Sequence, residues 1–226
     1  MLGEVRCGRI VHFRSPEPDK THPKIPGYVN INATSGNKRW GGLSPMKLGP
    51  LNIIENLCPM TFYPSGVLPG FIKINDTQQQ ATAMNMENAW QYMKAMNIDV
   101  KDGIIQPSFF ERRAKGYADP KPHRRPIPKA KGHPVAAFYN CQVLDYISSR
   151  PIYCNIYEQL VRTTPEYKEL ERMLNTGTNL LILGYDGRDI PITKESMRDA
   201  FLDPKYPFGH ELCLVCLLKG FSPWRE

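Results

Sequence analysis

Thr82-Ala-Met-Asn-Met-Glu-Asn-Ala-Trp-Gln-Tyr-Met-Lys-Ala-Met-Asn97 is a stretch of good helix formers that contains neither proline nor glycine. Its apolar residues recur at helical spacing, so the pattern predicts a helix over 82–97. Glu87, Gln91 and Lys94 stand at positions i, i+4 and i+7 of that helix and share one face, with Trp90 beside them. Such a face is either a row of solvent-exposed polar side chains or a candidate functional site.

Elements on both sides of this helix predict an α+β fold with a mainly helical core, short strands and hairpins. A proline at the first helical position after a Thr cap, and a glycine stop, mark one helix clearly: Thr164, Pro165 and Gly177. We expect strands over residues 4–14, 27–32, 71–75 and 180–183, and helices over residues 107–117, 146–161, 165–174 and 209–218.

Length and composition favour one domain of 226 residues that is soluble and either cytoplasmic or nuclear. The apolar fraction is 41% and the charged fraction 23%, no run approaches the roughly 18 apolar residues of a membrane span, and the first residues do not resemble a secretion signal. The six cysteines are few and scattered, so we expect them to be reduced. Cys213 and Cys216 have the spacing of half a zinc site or a redox motif, but their apolar surroundings favour one side of a buried helix.

Positive charge is concentrated in one segment. The net charge is +7, and residues 121–133 contain five Lys or Arg and two His between three prolines. Prolines prevent a regular helix there, which predicts an extended basic loop. Two interpretations remain open: a solvated connector, or a loop that lies along a phosphate backbone or binds a pyrophosphate.

Common catalytic motifs are absent from the sequence. It has no Walker-type glycine loop, no Gly-x-Gly-x-x-Gly, no Gly-x-Ser-x-Gly and no His-Glu-x-x-His. The five histidines do not stand at metal-ligand spacings, so we predict neither a metal nor a cofactor. Polar residues do stand at the ends of buried elements, where sites are commonly built: Asp186 after the strand at 180–183, and His210-Glu211 at the start of the last helix.

Four segments in order resemble the NADAR superfamily, whose members are N-glycosidases acting on nucleotide-like and ADP-ribosyl substrates. Glu87-Asn-Ala-Trp-Gln-Tyr-Met-Lys94 is similar to that family's Glu-His-Tyr-x-Gln-x-x-Lys helix. The others are Phe62-Tyr63-Pro64-Ser65, Leu170-x-x-x-Leu-x-Thr-Gly177 and Phe208-Gly-His-Glu-Leu212. The sequence differs at Asn88, where the family has histidine. The resemblance implies a NADAR-like core over residues 61–220 and leaves residues 1–60 as a loop- and strand-rich N-terminal extension.

The resemblance also implies an N-glycosidase-type hydrolase. Cleavage of an N-glycosidic bond passes through an oxocarbenium-like sugar, and a carboxylate near the anomeric carbon stabilises that charge. Glu87 and Asp186 are the candidate catalytic residues. The residues expected to hold the base, sugar or phosphates of the substrate are Trp90, Gln91, Lys94, Tyr63, Tyr185, Arg124, Arg125, His210 and Glu211.

Three functions therefore remain as predictions. The first is a hydrolase of a nucleotide-like or ADP-ribosyl small molecule or of a modified base in nucleic acid. The second is a non-catalytic nucleic-acid-binding protein, of viral type, that uses residues 32–45 and the basic segment. The third is an enzyme that modifies a base by glycosyl transfer, because transfer needs the same stabilisation of charge.

Overall fold

The computed structural model describes residues 10–14, 26–56, 78–102, 104–123, 134–140, 142–184 and 190–226. Of the strand predicted over residues 4–14, the part Ile10–Arg14 is described and is a strand. The strand predicted over residues 71–75 lies outside the described residues.

Ten strands and six helices, together with three short 3-10 turns, form this part of the chain. The strands are β1 Ile10–Arg14, β2 Tyr28–Asn32, β3 Leu51–Asn56, β4 Gln78–Ala83, β5 Lys94–Met96, β6 Val100–Lys101, β7 Ile104–Ile105, β8 Pro134–Tyr139, β9 Gln142–Leu144 and β10 Asn179–Gly184. The helices are α1 Met86–Met93, α2 Pro107–Ala118, α3 Tyr146–Val161, α4 Pro165–Asn175, α5 Lys194–Leu202 and α6 His210–Leu218. The fold class is α+β, as the sequence predicts.

The chain is divided into two compact units. One consists of Met1–Leu48 and Arg150–Glu226, and the other of Gly49–Ser149. In the parts of the chain that the structure describes, no helix is long and apolar enough to cross a membrane.

A three-stranded parallel sheet organises the first unit, with β10 between β1 and β2. Residues 180–183 are all buried, because β10 is the central strand and contacts α4 and α6. A strand covered on both faces needs a continuous apolar sequence, and Leu180-Leu-Ile-Leu183 supplies it. Helix α6 is buried along its length in the same core, from Glu211 to Leu217.

The helical predictions in this unit are confirmed. Helix α3 has the predicted bounds, and α4 begins at Pro165 with the Thr164 hydroxyl accepting a hydrogen bond from the backbone N–H of Tyr167. Gly177 follows α4 with a φ of 86°, the left-handed conformation that glycine adopts most readily. Cys213 and Cys216 are free and buried on α6, as predicted.

Two buried charged side chains in the first unit accept or donate several hydrogen bonds. The Arg150 guanidinium donates to four backbone carbonyls in the last turn of α5 and the segment after it, those of Ala200, Phe201, Asp203 and Tyr206. The Glu158 carboxylate accepts from Arg162 Nε at 3.0 Å, Trp224 Nε1 at 3.2 Å and Arg225 Nη2 at 2.7 Å. Arg150 is 2% exposed and Glu158 5% exposed, so both groups are shielded from water.

Small antiparallel sheets and two helices make up the second unit. Strand β3 pairs with β4, strands β5, β8 and β9 form one sheet, and β6 pairs with β7. Helix α1 packs against α2 and contacts β4, β5 and β8. Two apolar clusters fill the unit, one around Ile53, Ala89 and Tyr92 and the other around Phe109 and Phe138.

The predicted helix over residues 82–97 is wrong at both ends. Thr82 and Ala83 belong to β4, and the chain changes back to extended backbone at Lys94, which begins β5. Strand partners distant in the sequence, β3 and β8, determine these changes. The eight-residue helix begins after Asn85, whose side chain accepts a hydrogen bond from the backbone N–H of Asn88 at 2.8 Å. An asparagine N-cap is a common helix start, and it is the signal that the sequence contained for this boundary.

Candidate active site on helix α1

Short helix α1 brings together the four polar and aromatic residues that the sequence singles out on it. Gln91 Nε2 donates a hydrogen bond to Glu87 Oε1 at 3.0 Å, and Lys94 Nζ donates to Gln91 Oε1 at 3.1 Å. Lys94 Nζ also lies 4.8 Å from the centre of the Trp90 ring, a cation–π distance. The four side chains therefore form one connected group, which we call the α1 site.

Gln91 separates the two charged residues of the α1 site. Its amide group donates to the carboxylate and accepts from the ammonium, so Glu87 and Lys94 are linked through a neutral side chain. Glu87 is half-buried. Among the described residues, Gln91 is the hydrogen-bond partner of the Glu87 carboxylate, and it bonds Oε1. Its second oxygen, Oε2, is left to accept a further hydrogen bond. A carboxylate held in one orientation with an oxygen available is suited to stabilise positive charge or to activate water.

Burial changes the acid–base chemistry of Lys94. Desolvation lowers the pKa of its ammonium to about 8, although the Glu87 carboxylate acts in the opposite direction and raises that pKa. A substantial part of the amine is then neutral at a mildly alkaline pH. A neutral amine can accept a proton or attack an electrophilic carbon, whereas an ordinary surface lysine is almost wholly protonated there.

We expect Lys94 to react with an amine-directed acylating reagent with a midpoint near pH 8, because the neutral amine is the reactive form. Replacing Glu87 by glutamine should move this midpoint below 8, since the carboxylate raises the pKa of Lys94. Peptide mass spectrometry of protein labelled over a pH series measures both values. Lys168, exposed on α4, corrects for the reagent's own pH dependence. A midpoint that rises in Glu87→Gln would contradict the electrostatic coupling.

Another face of α1 carries a residue that sequence reasoning did not recognise as important. Asn88 is fully buried, and its Nδ2 donates to the carbonyls of Asp119 and Lys121, each at 2.9 Å. Its Oδ1 accepts from the backbone N–H of His123 at 2.8 Å. Asn88 therefore fixes the backbone that follows α2. The available signal was an asparagine four residues before Tyr92 on a face that is otherwise apolar.

His210 and Glu211 belong to the first unit and lie next to each other at the start of α6. His210 Nδ1 is 3.3 Å from Glu211 Oε2, and His210 Nε2 is 3.3 Å from the carbonyl oxygen of Ala33. The His210 ring also packs edge-on against Tyr157, whose hydroxyl donates to the Leu43 carbonyl at 2.9 Å. Burial, with a smaller contribution from Cys213, raises the pKa of Tyr157 well above its usual value. These contacts tie α6 to the segment after β2.

The segment over residues 32–45, predicted as a binding loop in the nucleic-acid interpretation, contributes to the core of the first unit. Trp40 and Leu43 are buried, and Asn37 Oδ1 accepts hydrogen bonds from the backbone N–H groups of Arg39 and Trp40. These buried side chains and local hydrogen bonds give the segment a structural role in the first unit.

Five predicted site residues lie outside the described residues: Tyr63, Arg124, Arg125, Tyr185 and Asp186. Within the described ranges, no three His, Cys, Asp or Glu side chains lie together as ligands of a metal ion would. Searches of protein-family models, curated proteins and solved structures found no match to this chain.

Proposed function

We propose that this protein is an N-glycosidase-type hydrolase that acts on a nucleotide-like or ADP-ribosyl substrate, with Glu87 as its catalytic carboxylate. The observation that carries the proposal is the hydrogen-bonded series from Glu87 through Gln91 to Lys94, with Lys94 beside Trp90. The same three polar residues, at the same spacing, are the part of the sequence that resembles the NADAR helix. We propose a NADAR-like fold on the same basis.

Glu87 has the chemistry that breaking an N-glycosidic bond requires. As the bond between the anomeric carbon and the base nitrogen lengthens, positive charge develops on the sugar, and a nearby carboxylate stabilises it. The base leaves with the bonding electron pair: a base bonded as a cation, such as the nicotinamide of NAD, leaves neutral, and a base bonded in neutral form takes up a proton from Lys94 or water. Water adds to the anomeric carbon and loses its proton to Glu87, so that a free sugar hydroxyl and a free base are the products.

The other residues of the α1 site suit the rest of such a substrate. Trp90 offers an aromatic ring of the kind on which a base or ribose stacks. Lys94 is placed to contact a phosphate or the leaving base, and its lowered pKa near 8 lets the same amine donate or accept a proton at mildly alkaline pH. Gln91 keeps the carboxylate and the amine from neutralising each other directly.

Charge favours a substrate that is part of a nucleic acid. The net charge of the chain is +7, and a positive surface raises the local concentration of a polyanion. An ADP-ribosylated or otherwise modified base within a nucleic acid would use that surface, whereas a free nucleoside would not.

The decisive experiment incubates the protein with NAD, with an ADP-ribose adduct and with ADP-ribosylated DNA, and measures release of base or ribose by chromatography. Wild type should release product from at least one of them. Glu87→Gln removes the charge while keeping nearly the same shape, and we expect it to lower the rate by about 100-fold or more, the usual contribution of a positioned acid–base group.

The matched control is Glu195→Gln, which neutralises an exposed carboxylate on α5 and should leave the rate unchanged. Absence of release from all three substrates would refute the proposed hydrolysis. Undiminished release by Glu87→Gln would show instead that another group performs the catalysis.

A further inference from the structure

An open groove runs along one side of helix α2. It has a volume of about 390 Å³, and its walls include Ser108, Glu111, Lys115 and Asp119, which follow one another at helical spacing. The volume lies within the range of sites that hold small ligands. We call it the α2 groove. It lies within the second unit, and none of the four residues of the α1 site lines it.

Tight packing holds the groove in shape. Gly116 packs against the Tyr92 ring, and a Cβ atom at this position would come within 2.4 Å of three ring atoms. Asn88 hydrogen-bonds the backbone at one end, where Asp119 and His123 are joined by a 2.7 Å contact between Oδ2 and Nε2. Close packing against Gly116 therefore positions the Tyr92 ring, and the Asp119 contact positions the His123 ring.

Polar groups with no partner in the described part of the chain remain at the surface of the groove. Ser108, Glu111 and Lys115 are exposed and make neither hydrogen bonds nor ion pairs with described residues. Lys115 offers a cation and Glu111 an acceptor. The His123 ring meets Tyr92 edge-on, with centres 6.1 Å apart, and the side chain is 31% exposed. An exposed imidazole face of this kind can stack on a base.

Net charge indicates the kind of partner. Residues 107–133 contain eight Lys or Arg and two acidic residues, a net charge of +6, whereas the whole chain has +7. Almost all of the excess charge thus falls on α2 and the residues that follow it in the sequence. Positive charge concentrated in one stretch of sequence is typical of proteins that bind a polyanion.

Glu111 indicates which kind of polyanion the groove binds. A surface for phosphate groups alone, or for an anionic membrane, gains nothing from a carboxylate beside its lysine. A nucleotide presents both an anionic phosphate and the N–H donors of a base, so Lys115 and Glu111 each have a counterpart on it. In duplex DNA the bases are stacked inward, and a single strand exposes them.

We propose that the α2 groove binds one unpaired nucleotide of a single-stranded nucleic acid. His123 stacks on the base, Glu111 accepts a hydrogen bond from it, and Lys115 contacts a phosphate. The site is separate from bond cleavage at Glu87, and it would provide binding whether or not the protein is a hydrolase.

Fluorescence anisotropy with a labelled, unmodified single-stranded oligonucleotide tests the proposal on the full chain. Lys115→Glu should weaken binding by about tenfold, because it replaces an attraction to phosphate by a repulsion. Lys168→Glu makes the same charge change at an exposed helical position of the first unit and should stay within about twofold of wild type. Equal loss in the two variants would overturn the proposal.

A pair of variants at His123 separates stacking from charge. Both His123→Ala and His123→Phe remove the contact with Asp119, but only the phenylalanine retains a ring. We expect the alanine variant to bind about tenfold more weakly and the phenylalanine variant to remain near wild type. Equal affinity of the two variants would overturn the base-stacking assignment.

Two further ligands test the choice of partner. Duplex DNA of the same sequence should bind more weakly than the single strand, and equal affinity would overturn the base subsite. Vesicles containing phosphatidylserine should not compete with the oligonucleotide. Binding to vesicles without binding to the oligonucleotide would overturn the proposal in favour of a membrane surface.

Discussion

Replacing Arg150 by methionine is expected to lower the free energy of unfolding by about 4 kcal/mol, because four backbone carbonyls lose a charged donor at once. The last carbonyls of a helix have no partner within the helix itself, and Arg150 supplies one for α5. Methionine fills much of the same space without donating a hydrogen bond. Urea denaturation followed by circular dichroism measures the change.

Arg150→Lys tests whether geometry matters in addition to charge. Lysine presents a single ammonium in place of a planar fork of donors, so it should recover less than half of the lost stability. Arg172→Met is the matched control, since Arg172 is 63% exposed and its guanidinium bonds Glu169 on its own helix. We expect that variant to lose about 0.5 kcal/mol. An Arg150→Met variant as stable as Arg172→Met would disprove the role of the guanidinium.

Replacing Glu158 by alanine is expected to cost about 3 kcal/mol, since the buried carboxylate is the common acceptor for three donors. The indole N–H of Trp224, itself buried, would lose its acceptor. The last turn, Pro223–Arg225, would then lose its attachment to α3. Urea denaturation measures the loss of stability, and we expect the backbone amides of this turn to exchange hydrogen faster in the variant than in wild type.

Glu169→Ala provides the comparison for this loss, because Glu169 also accepts from an arginine but lies at the surface of α4. Its loss should cost under about 1 kcal/mol. A double-mutant cycle with Arg225→Ala measures how much of the Glu158 effect passes through the C-terminal turn. Full additivity of the two substitutions would show that this turn is not held by Glu158.

Sequence patterns predicted elements that depend on local signals. Helix α4 has a Thr cap, a proline at its first position and a stop glycine, and each acts within a few residues of the chain. The strand at 180–183 and helix α6 were recognisable because their residues are apolar on every side, which only burial permits. None of these predictions required knowledge of a distant partner.

Predictions failed where distant partners decide the backbone. Ala83 and Lys94 favour a helix by intrinsic propensity, but pairing with β3 and with β8 places them in strands. The α1 site was predictable because its members stand within eight residues of one another. The α2 groove was not predictable from the sequence, because it depends on the contact of Tyr92 with α2 and on the hydrogen bonds from Asn88 to residues 119–123. No local sequence pattern indicates these contacts.

Helix α1 has consequences for which substitutions the protein can tolerate. Five of its eight residues are buried, Met86, Asn88, Ala89, Tyr92 and Met93, and the other three belong to the α1 site. Every position on it therefore either is buried or belongs to the α1 site. A saturation library over these eight codons, selected only for stable folding, should reject nearly every change at the five buried positions and accept many at Glu87, Trp90 and Gln91. Selection for activity as well should then remove the changes at those three.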